Sequence, residues 1–234
     1  MNSQIELRDV SRVYHVGDED VYALNQVDVT IHEGDYVSIM GPSGSGKSSL
    51  LNIMGLLDTP TQGHYFLQDK DITLMNENQL AKMRQHAIGF VFQSFHLIPR
   101  LTAEENIALP MVLAGIEKSE RNRRVKQALK EMDLLNRATH LSEQLSGGQR
   151  QRVAIARSTI MQPKIILADE PTGNLDQHSG REIIDVLETL NHNGITLIMV
   201  THDLAVGDRA KRQIKMVDGK IVDELTAIAK NDVP

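Results

Sequence analysis

The chain has 234 residues, of which 41% are hydrophobic and 24% are charged, and its formal net charge is -6. This balance is typical of one large globular domain, or one domain with an inserted lobe, and not of a disordered chain. The acidic charge argues against nucleic-acid binding through bulk positive charge, and the lack of cysteine excludes disulfides, iron–sulfur clusters and thiolate zinc sites. No run of about 20 apolar residues predicts a membrane-spanning helix, and the N-terminus lacks the apolar core of a signal peptide.

Alternating apolar residues predict two short strands in the first part of the chain. One pattern runs through Ile5, Leu7 and Val10, and the other through Val27, Val29 and Ile31. After a turn at residues 33–35, the apolar run 36–40 predicts a third strand, which leads through a glycine-rich loop into a helix from about Lys47 to Leu56. A strand, a glycine-rich loop and a helix in this order open an α/β nucleotide-binding unit.

The middle of the chain shows helical patterns and no clear strand. Thr102 and Glu105 form a capping box, and residues 117–132 are charged on one face and apolar on the other. Ser146 can cap a further helix that runs to about residue 161. These patterns predict a helical lobe inserted into an α/β core.

Strands return in the last part of the chain. Residues 165–168 and 196–200 are almost entirely apolar, as in central strands of a parallel sheet that is covered on both faces. A helix at about residues 179–190 joins them as a crossover. Strands at 213–217 and 220–224 flank Asp218-Gly219, which is a hairpin turn signal.

The loop at residues 41–48 is a candidate phosphate-binding loop. Its sequence, GPSGSGKS, fits the pattern G-x-x-x-x-G-K-[ST] without a mismatch. The glycines let successive backbone N–H groups face phosphate oxygens, and the following helix presents its positive N-terminal end to the same anion. Lys47 supplies a cation for the β- and γ-phosphates, and the Ser48 hydroxyl is placed to bind Mg²⁺. Because a predicted strand precedes the loop and a predicted helix follows it, we favour nucleotide binding over a chance match.

Two acids follow the apolar strand at residues 165–168. Asp169 stands at the carboxyl end of this strand, where ligands of open α/β sheets bind, and would orient Mg²⁺ through water. Glu170 would polarise the attacking water as a general base. The plainer interpretation is an exposed acidic pair before Pro171, and the phosphate loop in the same chain favours the functional one.

The sequence LSGGQ at residues 145–149 is a second glycine motif. Ser146, Gly147 and Gly148 at a helix start expose N–H donors that can bind a second anion, or they form an ordinary helix cap. Adjacent glycines at a helix start cost stability unless another group must approach closely. Because one triphosphate needs only one cradle per chain, we expect this motif to serve a nucleotide held by a second copy, which predicts ATP-dependent dimerisation.

These motifs resemble the ATP-binding subunit of an ABC transporter over essentially the whole chain. The order is Tyr14, the phosphate loop, Gln93, LSGGQ, the acidic strand and His202, and LSGGQ at this point is highly specific to the family. The resemblance implies an α/β fold with a P-loop NTPase (RecA-like) core, an N-terminal antiparallel β subdomain and an inserted α-helical subdomain. Within a single ABC ATPase domain of residues 1–234, the β subdomain and core would take 1–93 and 163–234, and the helical subdomain with LSGGQ would take 94–162.

The resemblance also implies roles for individual residues. Lys47, Glu170 and His202 would be catalytic, with His202 contacting the γ-phosphate and aligning Glu170 with the water. Mg²⁺ would be bound by Ser48, Gln93 and Asp169. ATP would be bound by Tyr14, Gly41, Pro42, Ser43, Gly44, Ser45, Gly46, Lys47, Ser48, Ser49 and Gln93 of one copy and by Ser146, Gly147, Gly148 and Gln149 of the other. Leu175-Asp176 match the segment that touches the opposite copy, but Gly173-Asn174 replace the Ser-Ala of many relatives.

Four segments resemble the branch of macrolide-export and lipoprotein-release (MacB/LolD-like) ATPases. They are residues 52–58, 89–93, 101–106 and 168–176. The resemblance implies a separate permease with four membrane helices and a large extracytoplasmic domain, which would dock on residues 93–110. It also implies a second copy of the chain, allows a periplasmic adaptor through the permease, and places the chain peripherally on the cytoplasmic face of the inner (cell) membrane.

Three alternatives stay open at this point. A cell-division ATPase of the FtsE type would share the motifs, and an importer ATPase would pair with a different permease. A non-transport ABC ATPase acting on DNA or ribosomes is disfavoured by the single cassette, the acidic charge and the lack of a long coiled-coil insert, so no nucleic-acid partner is expected. LSGGQ excludes a generic P-loop kinase. The cargo would be selected by the permease.

Overall fold

The computed structural model describes residues 3–17 and 19–226. The strands are β1 (Ser3–Val16), β2 (Glu19–His32), β3 (Tyr36–Met40), β4 (Gln62–Leu67), β5 (Lys70–Asp71), β6 (Ile88–Phe92), β7 (Ile165–Asp169), β8 (Thr196–Val200), β9 (Arg212–Val217) and β10 (Lys220–Thr226). The helices are α1 (Lys47–Met54), α2 (Glu77–Ala87), α3 (Ala103–Leu113), α4 (Lys118–Glu131), α5 (Gly147–Thr159), α6 (Gln177–His192) and α7 (Leu204–Gly207). Short 3-10 turns lie at Leu135–Arg137 and Ser142–Gln144.

A mixed sheet forms the centre of the fold, in the order β10-β9-β3-β8-β7-β6. All neighbours in it pair in parallel except the hairpin of β9 and β10, which is antiparallel. Every residue of β8 is buried, because apolar clusters cover both faces of the sheet. Leu167 and Ile198 belong to the cluster that includes Leu50 of α1, whereas Ile166 and Leu197 belong to the cluster that includes Ile184 of α6. The predicted parallel strands and terminal hairpin are confirmed.

A second, antiparallel sheet has the order β2-β1-β4-β5. Its first two strands have 14 residues each, so the prediction of short strands here was wrong in length. The β1–β2 register shifts between Leu7 and Val10, and Asp9 has φ 51°, which indicates a bulge that interrupts the apolar alternation. The bulge changes which residues of the strand face the core. The sequence therefore shows apolar alternation only in the regular part of the strand.

Three helices of the described structure fall within residues 94–162, namely α3, α4 and α5. The predicted capping box of Thr102 and Glu105 begins α3, and Ser146 caps α5 as expected. The exact division at residues 94–162 stays a prediction. Helix α1 ends at Met54, not Leu56, because Gly55 takes the C-cap position and donates to carbonyls of the last turn.

Candidate nucleotide site

The phosphate loop joins β3 to α1, as the sequence predicted. Gly46 is the N-cap of α1 with φ 95°, in the left-handed region, and a Cβ there would lie 2.3 Å from the carbonyl oxygen of Ala23. A Cβ on Gly41 would lie 2.1 Å from the carbonyl oxygen of Met216. The loop therefore passes so close to β2 and β9 that only glycine fits at these two positions.

The Lys47 ammonium is held against the loop that it is expected to serve. Its Nζ donates to the carbonyl oxygens of Gly41 at 3.0 Å and Pro42 at 2.7 Å. It also lies 3.4 Å from the Ser45 hydroxyl. These contacts fix a positive charge inside the curve of the loop, where it can meet phosphate oxygens.

Ser48 and Asp169 form a candidate Mg²⁺ site. The Ser48 hydroxyl lies 3.5 Å from Oδ2 of Asp169, although α1 and β7 are far apart in the sequence. Burial raises the pKa of Asp169, and the nearby charge of Glu170 raises it further. A hydroxyl and a carboxylate are the oxygen ligands that Mg²⁺ prefers, so the residues present fit this ion.

Glu170 and His202 meet at the ends of two neighbouring strands, β7 and β8. His202 Nδ1 lies 2.8 Å from Glu170 Oε1. The hydrogen bond to Glu170 and its negative charge raise the pKa of His202. Glu170 has φ 48°, and its N–H donates to the carbonyl oxygen of Val200, which holds this uncommon conformation. The structure thus brings the predicted base and the predicted histidine into direct contact.

Gln93 follows β6 and is bound to the segment after Glu170. Its Nε2 donates to Asn174 Oδ1 at 3.4 Å, and Asn174 Nδ2 donates to the Gln93 carbonyl oxygen at 3.1 Å. A Cβ on Gly173 would lie 2.6 Å from Gln93 Nε2. Gly173 and Asn174, which replace the Ser-Ala of many relatives, are therefore the two residues that contact Gln93. In this structure Gln93 is bonded to Asn174 and not to the Ser48–Asp169 pair.

Tyr14 lies near the end of β1, beside the strand that contacts the phosphate loop. It pairs with Val21 of β2, two residues before Ala23, whose carbonyl faces Gly46. Tyr14 is 38% exposed, and its hydroxyl donates to Asp58 Oδ2 at 2.8 Å. An exposed aromatic ring on this side of the loop is compatible with base stacking.

The LSGGQ motif begins α5 with a complete capping box. Ser146 Oγ accepts the N–H of Gln149 at 3.2 Å, and Gln149 Oε1 accepts the N–H of Ser146 at 3.0 Å. A Cβ on Gly147 would lie 3.1 Å from Leu175 Cδ2, and one on Gly148 would lie 3.3 Å from the Ser179 side chain. Close packing within the chain thus accounts for these glycines, and the contact with a second copy's nucleotide stays a prediction.

Two polar residues of α5 have roles that the sequence analysis missed. Gln151 is fully buried, and its Nε2 donates to the carbonyl oxygens of Phe92 at 3.3 Å and Pro171 at 2.8 Å. It therefore joins the strand before Gln93 to the loop after Glu170. The position of Gln151 could have indicated its burial, because it lies four residues before Ile155 and so on the buried face of the predicted helix.

Arg157 binds the segment that follows Gln93. Its guanidinium donates to the carbonyl oxygens of Phe95 at 2.9 Å and His96 at 2.6 Å. Both of these residues have positive φ, which is 60° at Phe95 and 48° at His96. No sequence pattern marks this arginine, because its partners are backbone atoms of a distant loop.

Comparison with known proteins gives consistent matches. A family model described as ABC transporter matches residues 24–173. An uncharacterized ABC transporter ATP-binding protein, YknY of Bacillus subtilis, is 49% identical over 93% of this chain and 95% of its own length. The macrolide export ATP-binding/permease protein MacB of Escherichia coli is 47% identical over 95% of this chain, which spans only 34% of MacB.

A solved structure shares the fold over nearly all of this chain. It is the dimeric post-hydrolysis state of the ATP-binding cassette MJ0796 bound to ADP and Pi, with TM-score 0.88 and 44% identity over 95% of this chain and 98% of that one. The predicted fold class is thereby confirmed. Within the described residues, none of the helices has the length and apolarity that crossing a membrane requires. The chain belongs to the ABC transporter family and is an ATP-binding, ATP-hydrolysing subunit of such a transporter.

Proposed function

We propose that this ATPase powers a separate membrane permease of the macrolide-export or lipoprotein-release type. The observation that carries the catalytic part is the contact of Glu170 with His202, next to the Ser48–Asp169 pair. In this arrangement the base, the γ-phosphate contact and the candidate ion site share one edge of the central sheet. We place the protein peripherally, on the cytoplasmic face of the cell membrane, with its cargo selected by the permease.

ATP binding follows from the loop and its neighbours. Backbone N–H groups of residues 41 and 43–49 and the Lys47 ammonium bind the phosphates, and Tyr14 stacks on the adenine. Ser48 and Asp169 would hold Mg²⁺, and Gln93 would join them once its side chain leaves Asn174; the ion would neutralise charge on the phosphates. Replacing Lys47 with Ala should abolish this binding.

Glu170 and His202 divide the work of hydrolysis. The Glu170 carboxylate polarises the attacking water and accepts its proton. The raised pKa of His202 favours the imidazolium, in which both ring nitrogens are donors. Nδ1–H then donates to Glu170, and Nε2–H is left to donate to the γ-phosphate. One histidine can in this way align the base and stabilise the charge of the transferred group.

The second copy contributes its LSGGQ motif to each site. Because the Ser146 hydroxyl accepts the N–H of Gln149, its own proton is left to donate to a phosphate oxygen. The N-terminal end of α5 adds backbone N–H donors and a positive partial charge. ATP between two copies therefore closes the dimer, and hydrolysis reopens it.

A groove beside the segment after Gln93 fits the permease. It has a volume of about 770 Å³ and is lined by apolar side chains that include Leu57, Phe90, Leu109 and Leu113. Leu113 is 74% exposed and Leu57 is 48% exposed, so both present apolar surface to solvent. Arg157 also lines the groove and holds the loop after Gln93, so an occupant of the groove can move Gln93.

The test is the recovery of membrane partners by the Glu170→Gln protein with ATP. Solubilised native membranes are passed over the tagged protein, and bound proteins are identified by mass spectrometry. We expect a permease with four membrane helices and a large extracytoplasmic domain, together with any periplasmic adaptor that it binds. Recovery of a conventional importer permease, or of no membrane protein, would contradict the proposal.

A matched pair of surface variants tests the groove itself. Leu113→Glu places a charge in the groove and should abolish recovery of the permease. Leu74→Glu is the control, because Leu74 is 88% exposed and does not line the groove, and it should leave recovery unchanged. Equal recovery with both variants would place the permease elsewhere on the surface.

A further inference from the structure

Tyr14 is held by two charged residues that the proposed function does not use. Its hydroxyl donates to Asp58 Oδ2 at 2.8 Å, and the same oxygen accepts the Nε–H of Arg12 at 2.9 Å. The guanidinium carbon of Arg12 lies over the Tyr14 ring, 4.6 Å from its centroid. The three side chains form a closed triangle of two hydrogen bonds and one cation–π contact.

The triangle is partly shielded from solvent and anchored to the backbone. The side chains of Arg12 and Asp58 are 24% and 21% exposed. The second carboxylate oxygen of Asp58 accepts the N–H of Thr59 at 2.8 Å. A bond in such surroundings is screened less by water than one on the open surface, so it can fix a ring.

The anchor connects β1 to the segment that follows the phosphate-loop helix. The N–H of Thr61 donates to the Ser11 carbonyl oxygen at 2.8 Å, and the N–H of Val13 donates to Thr61 Oγ1 at 3.1 Å. The N–H of Asp58 donates to the carbonyl oxygen of Asn52 in α1 at 3.3 Å. The position of Tyr14 is therefore set relative to α1, the helix that Lys47 begins.

Arg12 also leaves only one face of the Tyr14 ring free for stacking by a ligand. Because the guanidinium covers one face, a planar ligand can stack only on the other. A purely mechanical tie between β1 and the segment after α1 would need only the Arg12–Asp58 ion pair. The bond from the phenol to the same carboxylate oxygen additionally fixes the plane and the depth of the ring.

We propose that Asp58 and Arg12 are positioning residues for the nucleobase. They hold Tyr14 so that Arg12, the phenol ring and a purine base stack in that order. The inference rests on the proposed role of Tyr14 and extends it to two residues, one of them in the segment 52–58. Its consequence is that Asp58 contributes to binding of the base and not to binding of the phosphates.

The test compares the dissociation constants of ATP and inorganic triphosphate, which has no base. Tyr14→Ala should weaken ATP binding by about 5- to 150-fold, as loss of base stacking does. Asp58→Ala and Tyr14→Phe should weaken it by about three- to tenfold, as loss of one hydrogen bond does. Triphosphate binding should stay unchanged in all three variants. In hydrolysis, Asp58→Ala should raise KM for ATP and leave kcat unchanged.

Matched variants separate positioning from general damage. Asp58→Asn retains an oxygen that accepts from Tyr14 and should restore most of the ATP affinity. Asp71→Ala removes an acid of similar exposure, 25%, that binds His64 and Thr73, and should change neither affinity. In a Tyr14→Ala background, Asp58→Ala should have no further effect on ATP binding.

The outcomes distinguish this inference from the function on which it rests. If Asp58→Ala weakens ATP and triphosphate equally, or changes neither, Asp58 does not position the base. If Tyr14→Ala itself leaves ATP binding unchanged, the proposed adenine contact fails instead. Should Asp58→Ala not fold, as judged by circular dichroism, Tyr14→Phe and Asp58→Asn still decide, because they remove only the hydrogen bond or only the charge.

Discussion

The contact between His202 and Glu170 should change the pKa of the histidine ring. The hydrogen bond and the negative charge of Glu170 raise the pKa of His202 in the folded protein. A raised histidine pKa adds stability that is full below its unfolded value of about 6.5 and is lost as the pH rises through the folded value. Because the His202 side chain is 74% exposed, we expect a small effect on stability and a clear one on titration.

We predict that Glu170→Gln lowers the pKa of His202. An uncharged amide removes the charge that stabilises the imidazolium, and NMR titration of the ring resonances measures the change. Glu182→Gln is a suitable control, because Glu182 lies 3.6 Å from a different histidine, His178. A His202 pKa that is the same in wild type and Glu170→Gln would show that the contact is absent in solution.

We also predict that Glu170→Gln binds ATP and hydrolyses it at least about 100-fold more slowly than wild type, which is the usual contribution of a general base. Phosphate release gives the rate, and a fluorescent ATP analogue reports binding. Lys47→Ala should lose binding itself, because it removes the cation held inside the loop. Near-normal turnover by Glu170→Gln would refute the assignment of the base.

The N-caps of helices α3 and α5, Thr102 and Ser146, allow a prediction about helix stability. Ser146→Ala and Thr102→Ala each remove a side-chain acceptor from a capping box and should each lower the free energy of unfolding by about 1 kcal/mol. Only Ser146→Ala should also impair ATP-dependent dimerisation and hydrolysis, because of these two helices α5 is expected to face a nucleotide and α3 is not. Urea denaturation measures the free energy of unfolding, and phosphate release measures hydrolysis. Equal losses of hydrolysis in the two variants would contradict this prediction.

Elements with a regular apolar pattern or a complete cap could be predicted from the sequence. The central strands β7 and β8 are continuous apolar runs, and the capping box of Thr102 marks α3. Helix α2 went unpredicted although Asn76 and Gln79 form such a box, since the helix buries only Leu80 and so lacks an apolar face. The strands β4 and β5 also went unpredicted.

Residues of the site divide in the same way. The phosphate loop, Glu170 and His202 belong to motifs whose residue types are fixed by their chemistry, so their sequence predicts where they act. Gln151, Asn174 and Asp58 act through two or three hydrogen bonds each, most of them with atoms distant in sequence, such as the bond from Gln151 to the Pro171 carbonyl oxygen. Such contacts depend on tertiary packing and leave no local pattern.

The whole fold explains why these motifs meet. The phosphate loop follows β3, His202 follows β8 and Glu170 follows β7, and these three strands are consecutive neighbours that pair in parallel within the mixed central sheet. Their carboxyl ends therefore lie at one edge, where open α/β sheets bind ligands. LSGGQ lies at the start of α5. This helix packs in the apolar cluster that includes Ile184, not in the cluster that includes Leu50 of α1, and the LSGGQ glycines lie against Leu175 and Ser179. LSGGQ therefore has surroundings different from those of the phosphate loop, in agreement with the proposal that it serves the nucleotide of a second copy.

The most direct test of this account is the mass of the Glu170→Gln protein in solution, measured by light scattering with ATP and with ADP. We predict a dimer with ATP, because slow hydrolysis keeps two nucleotides between two copies, and a monomer with ADP. Lys47→Ala should stay monomeric with ATP. A Glu170→Gln protein that binds ATP and remains a strict monomer would contradict the composite site.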